Sequence, residues 1–180
     1  MRHRRPGAYT GHRGHNKRGT RAIKIVITAG PTIEAIDPVR FISNRSTGRM
    51  GYKIAEVASK RGNAITLISG PTRLKPPRVK KFISIETAGD LFRVLKKEIK
   101  RADCLVMCAA VADFRRASVP KGKIKRKKGL TLRLISNKDI LKALSGYKKS
   151  KLFVGFSLET EGVVRNARKK IKNKNLDIIV

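Results

Sequence analysis

The sequence predicts an α/β fold: a doubly wound, mostly parallel sheet with helices on both faces. Two observations predict it. Short, β-branched apolar runs alternate with stretches whose apolar residues recur at helical spacing. The first two runs end at Gly-Pro (Gly30-Pro31 and Gly70-Pro71), as buried strands do.

The elements follow in order. IKIVITA (23–29) is the first strand, and a long loop runs from it to about Thr47. Met50, Ile54, Val57, Ala58 and Arg61 then share a helical stripe, and Gly62 stops that helix. AITLIS (64–69) and KFISI (81–85) are the second and third strands. A helix over 88–100 places Leu91, Leu95 and Ile99 on one stripe. DCLVMCAAV (103–111) is the most apolar run and reads as a central strand. A basic loop (115–129), a strand TLRLI (131–135) and a short helix (138–144) come next. The strand KLFVGF (151–156), a basic helix (162–174) and a last strand, DIIV, complete the pattern.

The chain has 180 residues with 40% hydrophobic content, enough for one domain with a core. The scarcity of aromatics, with no Trp, argues against a base-stacking platform. No apolar run reaches the roughly 18 residues a membrane span needs, and the N-terminus lacks the apolar segment of a secretory signal. Lys and Arg number 44 against 12 acids, a net charge of +32. That field favours anionic partners; equally, it describes a solvated basic surface. Residues 1–22 hold seven Lys/Arg, all three His and no acid, and read as a disordered basic arm that attracts nucleic acid only non-specifically. Cys104 and Cys108 have no zinc partners and read as core thiols in a reducing cytoplasm.

Ligands of such sheets bind at the carboxyl ends of the strands. Three polar loops leave those ends. The first contains Ser46-Thr47-Gly48 ahead of a helix, a place for a phosphate or an ordinary N-cap. It is neither a short dinucleotide-binding turn nor a P-loop. The second has Asp113 within AAVADF, just past a strand end, where it can accept from a base or ribose or cap a turn. Its PKGKIKRKKG puts six basic residues in ten, a solvated loop or a neutraliser of triphosphate charge. The third follows Phe156, core or base-stacking wall, and precedes a helix rich in Lys and Arg.

Together, ITAGPT, IDPVRFISNRSTGRMG, CAAVADF, KIKRKKG, NKDIL, GFSLETE and KNLDIIV occur in the order and spacing of the phosphopantothenate–cysteine ligase family, which the chain resembles over 23–180. The resemblance implies a Rossmann-like ligase domain of coenzyme A synthesis. In such a domain the carboxylate of 4′-phosphopantothenate attacks the α-phosphate of CTP, releasing pyrophosphate. The amine of cysteine then displaces CMP from the acyl-cytidylate. Mg²⁺ assists, no FMN is expected on this domain, and the enzyme is a homodimer with a decarboxylase as companion.

Carried over by motif, Asn44 handles the acyl-nucleotide and Lys123 the triphosphate. Arg40 lies near the pantothenate phosphate, with Asn44 and Ala109 as further substrate contacts. Gly30, Ser46, Thr47 and Gly48 belong to the nucleotide set. So do Met107, Cys108 and Ala109, the acid Asp113, the turn Lys138, Asp139, Ile140 and Leu141, and Phe156, Lys170 and Lys174. Departures from the family pattern are Thr47 and Arg49 in the glycine loop, Ile33 for an Arg, Lys138 for a Pro, and bulkier Ser157 and Leu158. The family continues past the point matching Val180 with a flap and dimer segment, so a missing C-terminus is expected. The alternatives are a catalytically impaired nucleotide-binding fragment and a basic nucleic-acid-binding protein. A dehydrogenase would want an acid after the second strand, where Ser69-Gly70-Pro71 stands.

Overall fold

The computed structural model describes residues 21–180, so all of the expected basic arm but Arg21 and Ala22 lies outside the described residues. In chain order the elements are β1 (Lys24–Ala29), β2 (Ile33–Ala35), β3 (Phe41–Ser43), α1 (Arg49–Lys60), β4 (Ala64–Ser69) and β5 (Lys81–Ser84). After them come α2 (Ala88–Glu98), β6 (Cys104–Met107), β7 (Phe114–Arg116), β8 (Leu134–Ser136), α3 (Ile140–Leu144), β9 (Leu152–Gly155), α4 (Val163–Lys174) and β10 (Ile178–Ile179).

Six strands form one sheet in the order β10-β9-β6-β1-β4-β5, and every pairing in it is parallel. The chain winds from β1 outward to β5, then crosses back to β6 on the other side of β1. That makes the β1–β6 boundary the topological switch point. The strand side chains feed two cores. Val26, Ile68, Leu105, Met107 and Phe153 pack with Leu91, Leu95, Ile99, Ile140 and Leu144 of the α2–α3 side. Ile27, Ile65, Leu67 and Val106 face the opposite way, with Tyr52 and Ala55 of α1.

Three expectations need correction. The loop after β1 contains an antiparallel hairpin, β2–β3. Its strands are three residues each, too short to show a period. The strand expected over 131–135 is β8, which pairs antiparallel with β7, outside the main sheet. The α1 stripe holds at Ile54 and Ala58, which pack on the α1-side core, and fails at two other positions. Met50 is 58% exposed and Val57 37%, while Gly51, Tyr52 and Ala55 are buried. A Cβ on Gly51 would stand 2.6 Å from the Ala29 Cβ and 2.9 Å from the Thr28 carbonyl oxygen. The helix therefore lies nearly on β1 at Gly51, where no side chain fits beneath it.

Candidate active site

Thr28, wholly buried near the end of β1, organises the switch point. Its hydroxyl oxygen accepts the N–H groups of Cys108 (3.1 Å) and Ala109 (3.0 Å) and donates to the Met107 sulfur at 3.4 Å. Beyond it the two loops are zipped together. Ala110 N–H donates to the Gly30 carbonyl (2.9 Å) and Thr32 N–H to the Ala110 carbonyl (3.1 Å). Ala112 N–H reaches the Thr32 hydroxyl at 2.9 Å. These bonds fill the crevice between β1 and β6, so the open space lies one strand over, outside β6 and β9.

That space is a cleft of about 290 Å³. Met107, Ala109, Val111, Ala112 and Asp113 line it from the β6 end, and Phe156 from the β9 end. Asn137, Lys138, Asp139, Ile140 and Leu141 form its third side, with Lys170 and Lys174 of α4 reaching in. Asp139 caps α3 by accepting the Lys142 N–H at 3.2 Å, and its other oxygen lies 3.4 Å from the Lys174 ammonium. Lys138 sits over the Phe92 ring, 4.7 Å from its centre. Lys170 is held by Glu159 and by the Ser157 hydroxyl. The bond from Lys170, then that from Ser157, keeps the Glu159 carboxyl below its usual range against the opposing effect of burial. The Asn137 amide nitrogen donates to the Ala112 carbonyl (2.9 Å) and to the buried Glu34 (3.2 Å), whose carboxylate also accepts the Ala88 N–H at the start of α2.

A second, larger cavity of about 720 Å³ lies beside the hairpins. Arg40, Lys123, Lys125, Arg126 and Lys127 line it, together with Ile124, Gly129 and Leu130, so it is strongly electropositive. Asn44 belongs to neither lining, yet its amide nitrogen donates to the Val111 carbonyl at 2.8 Å, at the rim of the cleft. Strand β3 thus joins Arg40, in the basic cavity, to Asn44, at the cleft. The four residue steps from Arg40 to Asn44 span about 13 Å of extended chain.

The structure does not bring the remaining residues to the cleft. Gly48, not Ser46 or Thr47, is the N-cap of α1, and no side chain caps it. The Ser46 hydroxyl accepts the Gly48 N–H (3.3 Å) and the Thr47 hydroxyl the Arg49 N–H (3.4 Å). Gly30 and Gly48 touch each other, and a Cβ on either would meet the Thr72 methyl at 2.8 Å. Both also have positive φ, 72° and 76°, which L side chains rarely adopt. The Cys108 side chain packs into the α1-side core, and burial pushes its thiol pKa up. Sequence reasoning missed Val111, Ala112, Asn137, Glu34 and Asp37. Asp37, Val111, Ala112 and Asn137 stand inside the motif blocks without a role of their own, and Asp37 adds the Asp-Pro turn step; Glu34 lies in none.

Among the described residues no group of three or more His, Cys, Asp or Glu is arranged to hold a metal ion. No described helix is long and apolar enough to cross a membrane.

Known proteins are similar to this chain in sequence and fold. Residues 20–180 match the family described as the DNA/pantothenate metabolism flavoprotein C-terminal domain. The coenzyme A biosynthesis bifunctional protein CoaBC of Bacillus subtilis is 46% identical over 158 residues, 87% of this chain and 39% of that protein. The protein of the same name from Escherichia coli is 41% identical over 162 residues, 87% of this chain and 40% of that one. This chain therefore spans about two fifths of those relatives. The crystal structure of the C-terminal domain of a CoaBC protein superposes with a TM-score of 0.78 at 41% identity, covering 88% of this chain and 76% of that one. With the same sheet and the family match running from residue 20 to the last residue, the chain belongs to the DNA/pantothenate metabolism flavoprotein C-terminal domain family.

Proposed function

We propose that the chain is the phosphopantothenate–cysteine ligase part of coenzyme A synthesis, working in the cytoplasm with CTP as the activating nucleotide. One observation carries this reading. A short strand connects a strongly basic cavity at Arg40 to a polar cleft at Asn44. That span suits an extended substrate with a phosphate at one end and a carboxylate at the other. The names and coverage of the CoaBC relatives point the same way.

In the first step a carboxylate oxygen of 4′-phosphopantothenate bonds to the α-phosphorus of CTP, and the bond to the bridging oxygen breaks, releasing pyrophosphate. Lys123 neutralises charge on that leaving group. Asn44 has two amide N–H groups; one donates to Val111, which leaves the other to donate to the developing oxyanion. Asp113 and the 137–141 turn receive the nucleoside, while Lys170 and Lys174 share their charge between Glu159, Asp139 and the phosphates. In the second step the cysteine amine bonds to the acyl carbon, CMP leaves, and the amine loses a proton. Among the described residues no His, Cys, Asp and Glu cluster forms a metal cage; Mg²⁺ would arrive on the triphosphate oxygens as part of the substrate, and no step here is routed through it. Exposed Val39, Phe41 and Phe114 on the hairpins offer apolar surface for a second copy, in line with a homodimer.

Pyrophosphate release, measured with 4′-phosphopantothenate, cysteine and each nucleoside triphosphate in turn, tests the reading. Release should require CTP and phosphopantothenate and fall by about 10²–10³-fold in Lys123→Gln, the cost of removing one charge-stabilising group. Release that ignores phosphopantothenate, or an absence of CTP binding, overturns it.

A further inference from the structure

The basic loop that carries Lys123 is exposed at almost every residue, and a strand or helix holds none of residues 117–133. Like charges crowd along it, so left alone it would fray. The Ala117 N–H closes its base on the Arg133 carbonyl at 3.1 Å, and between those ends its backbone is pinned next to Lys123. The Ile124 N–H donates to Asp37 Oδ2 at 3.1 Å. The Ile124 carbonyl accepts from Arg40 Nη2 at 2.5 Å. Both groups of one peptide residue are thus held by a single ion pair, since Arg40 Nη2 also lies 3.1 Å from Asp37 Oδ2.

Asp37 is built for this task rather than for solvent. It is 2% exposed, the most buried acid among the described residues. Its other oxygen accepts the N–H groups of Val39 and Arg40, both at 2.8 Å, which closes the turn before β3. Burial pushes the carboxyl pKa up, but the three N–H groups and the Arg40 charge outweigh it, so the group stays ionised. A second tie runs alongside: Arg116 of β7 donates to the Ile36 carbonyl at 2.7 Å.

We propose that Asp37 is a positioning residue for the ligase reaction: it clamps the peptide of Ile124 and so places the Lys123 ammonium against the cavity that Arg40 lines. It touches no substrate. It acts through Lys123, and this role rests on the ligase reading. Binding of the loop to the hairpin does not, so the two can be tested apart.

Asp37→Asn keeps an oxygen for the turn but puts an NH₂ where the Ile124 N–H must donate. Amide hydrogen exchange at Ile124 should speed up at least about tenfold, with exchange in β1 and β6 unchanged, because breaking one docking bond opens the loop without opening the core. Equal protection at Ile124 in both proteins overturns the clamp, whatever the activity. For catalysis, Asp37→Asn should lower kcat on the order of 10²-fold, the cost of a misplaced group, with KM for cysteine held. In a Lys123→Gln background the same change should cost less than about twofold, since residues acting as a unit are not additive. A full loss in both backgrounds shows that Asp37 acts apart from Lys123 and sinks the positioning role. If Asp37→Asn does not fold, Ile124→Pro removes the same N–H from the exposed side and should give the same kinetic pattern; wild-type kcat in that variant overturns the proposal. A wild-type chain without ligase activity rejects the ligase reading and leaves the exchange result to judge the clamp.

Discussion

Thr28 shows how much one hydroxyl can organise. It is wholly buried, and two consecutive N–H groups of the segment after β6 converge on its oxygen. Those two residues, Cys108 and Ala109, are the ones whose backbone the family resemblance brings to the nucleotide. A valine has nearly the same shape and no acceptor. Thr28→Val should therefore destabilise the chain by about 1–3 kcal/mol, the cost of leaving buried donors unpaired. Urea unfolding measures it, and a change within about 0.5 kcal/mol, the range of an inconsequential surface change, would remove Thr28 from that role. The residue-level reading of the site was partly legible. Asp113 and the 138–141 turn follow apolar runs and stand out by charge. Asn137 and Glu34 do not, because each matters through a partner far along the chain, 103 residues apart in their own contact.

At the scale of elements, α1 and α2 make a useful contrast. The α2 stripe reads directly from spacing: Leu91, Leu95 and Ile99 are all 0% exposed. For α1 the same method picks Met50 and Val57, which face out. Ile54 and Ala58 do pack inward, but the close approach to β1 is made at Gly51, and a count of large apolar side chains is blind to a glycine. The ends of the helices are also unequal. At α2, Thr87 accepts the Asp90 N–H (3.0 Å) while the Asp90 carboxylate accepts the Thr87 N–H (3.1 Å), a reciprocal capping box. Thr87→Ala should cost about 1 kcal/mol through the lost cap, read as a lower denaturant midpoint with an unchanged slope. An unaltered midpoint would show that Glu34, which accepts the Ala88 N–H, holds that helix end without help.

At the scale of the whole molecule, charge sets the response to pH. The few carboxylates are heavily used. The Lys60 and Lys53 bonds bring Glu56 down to about 2. The Thr87 N–H holds Asp90 below its usual range, and the Lys148 bond does the same for Asp177. Glu159 and Asp37 are lowered as well. A depressed folded value means stability present above the unfolded carboxylate range, near pH 4, and lost as pH falls through the folded values. Protonation also adds to a net charge already at +32. The Tm should fall steeply from pH 5 to pH 2.5, and salt should soften the fall by screening the repulsion. A Tm that is flat or rising over that range contradicts the account.

The succession of the six parallel strands and the helices between them, and the family, were determined by the sequence alone; the two small antiparallel hairpins were not. Period, run length and the succession of seven motifs are local properties, so they survive without coordinates. Only the tertiary structure decided where the site opens. The crevice after β1 is closed by bonds between residues about 80 apart, such as Thr28 with Cys108 and Thr32 with Ala112. That closure leaves the glycine loop as packing against β1 and moves the cleft to β6 and β9. It took the same kind of contact, Asp37 with Ile124 at a separation of 87, to give the lysine-rich loop a fixed place. Hydrogen bonds of that span follow from the way the sheet winds, and they print no pattern in the residues on either side.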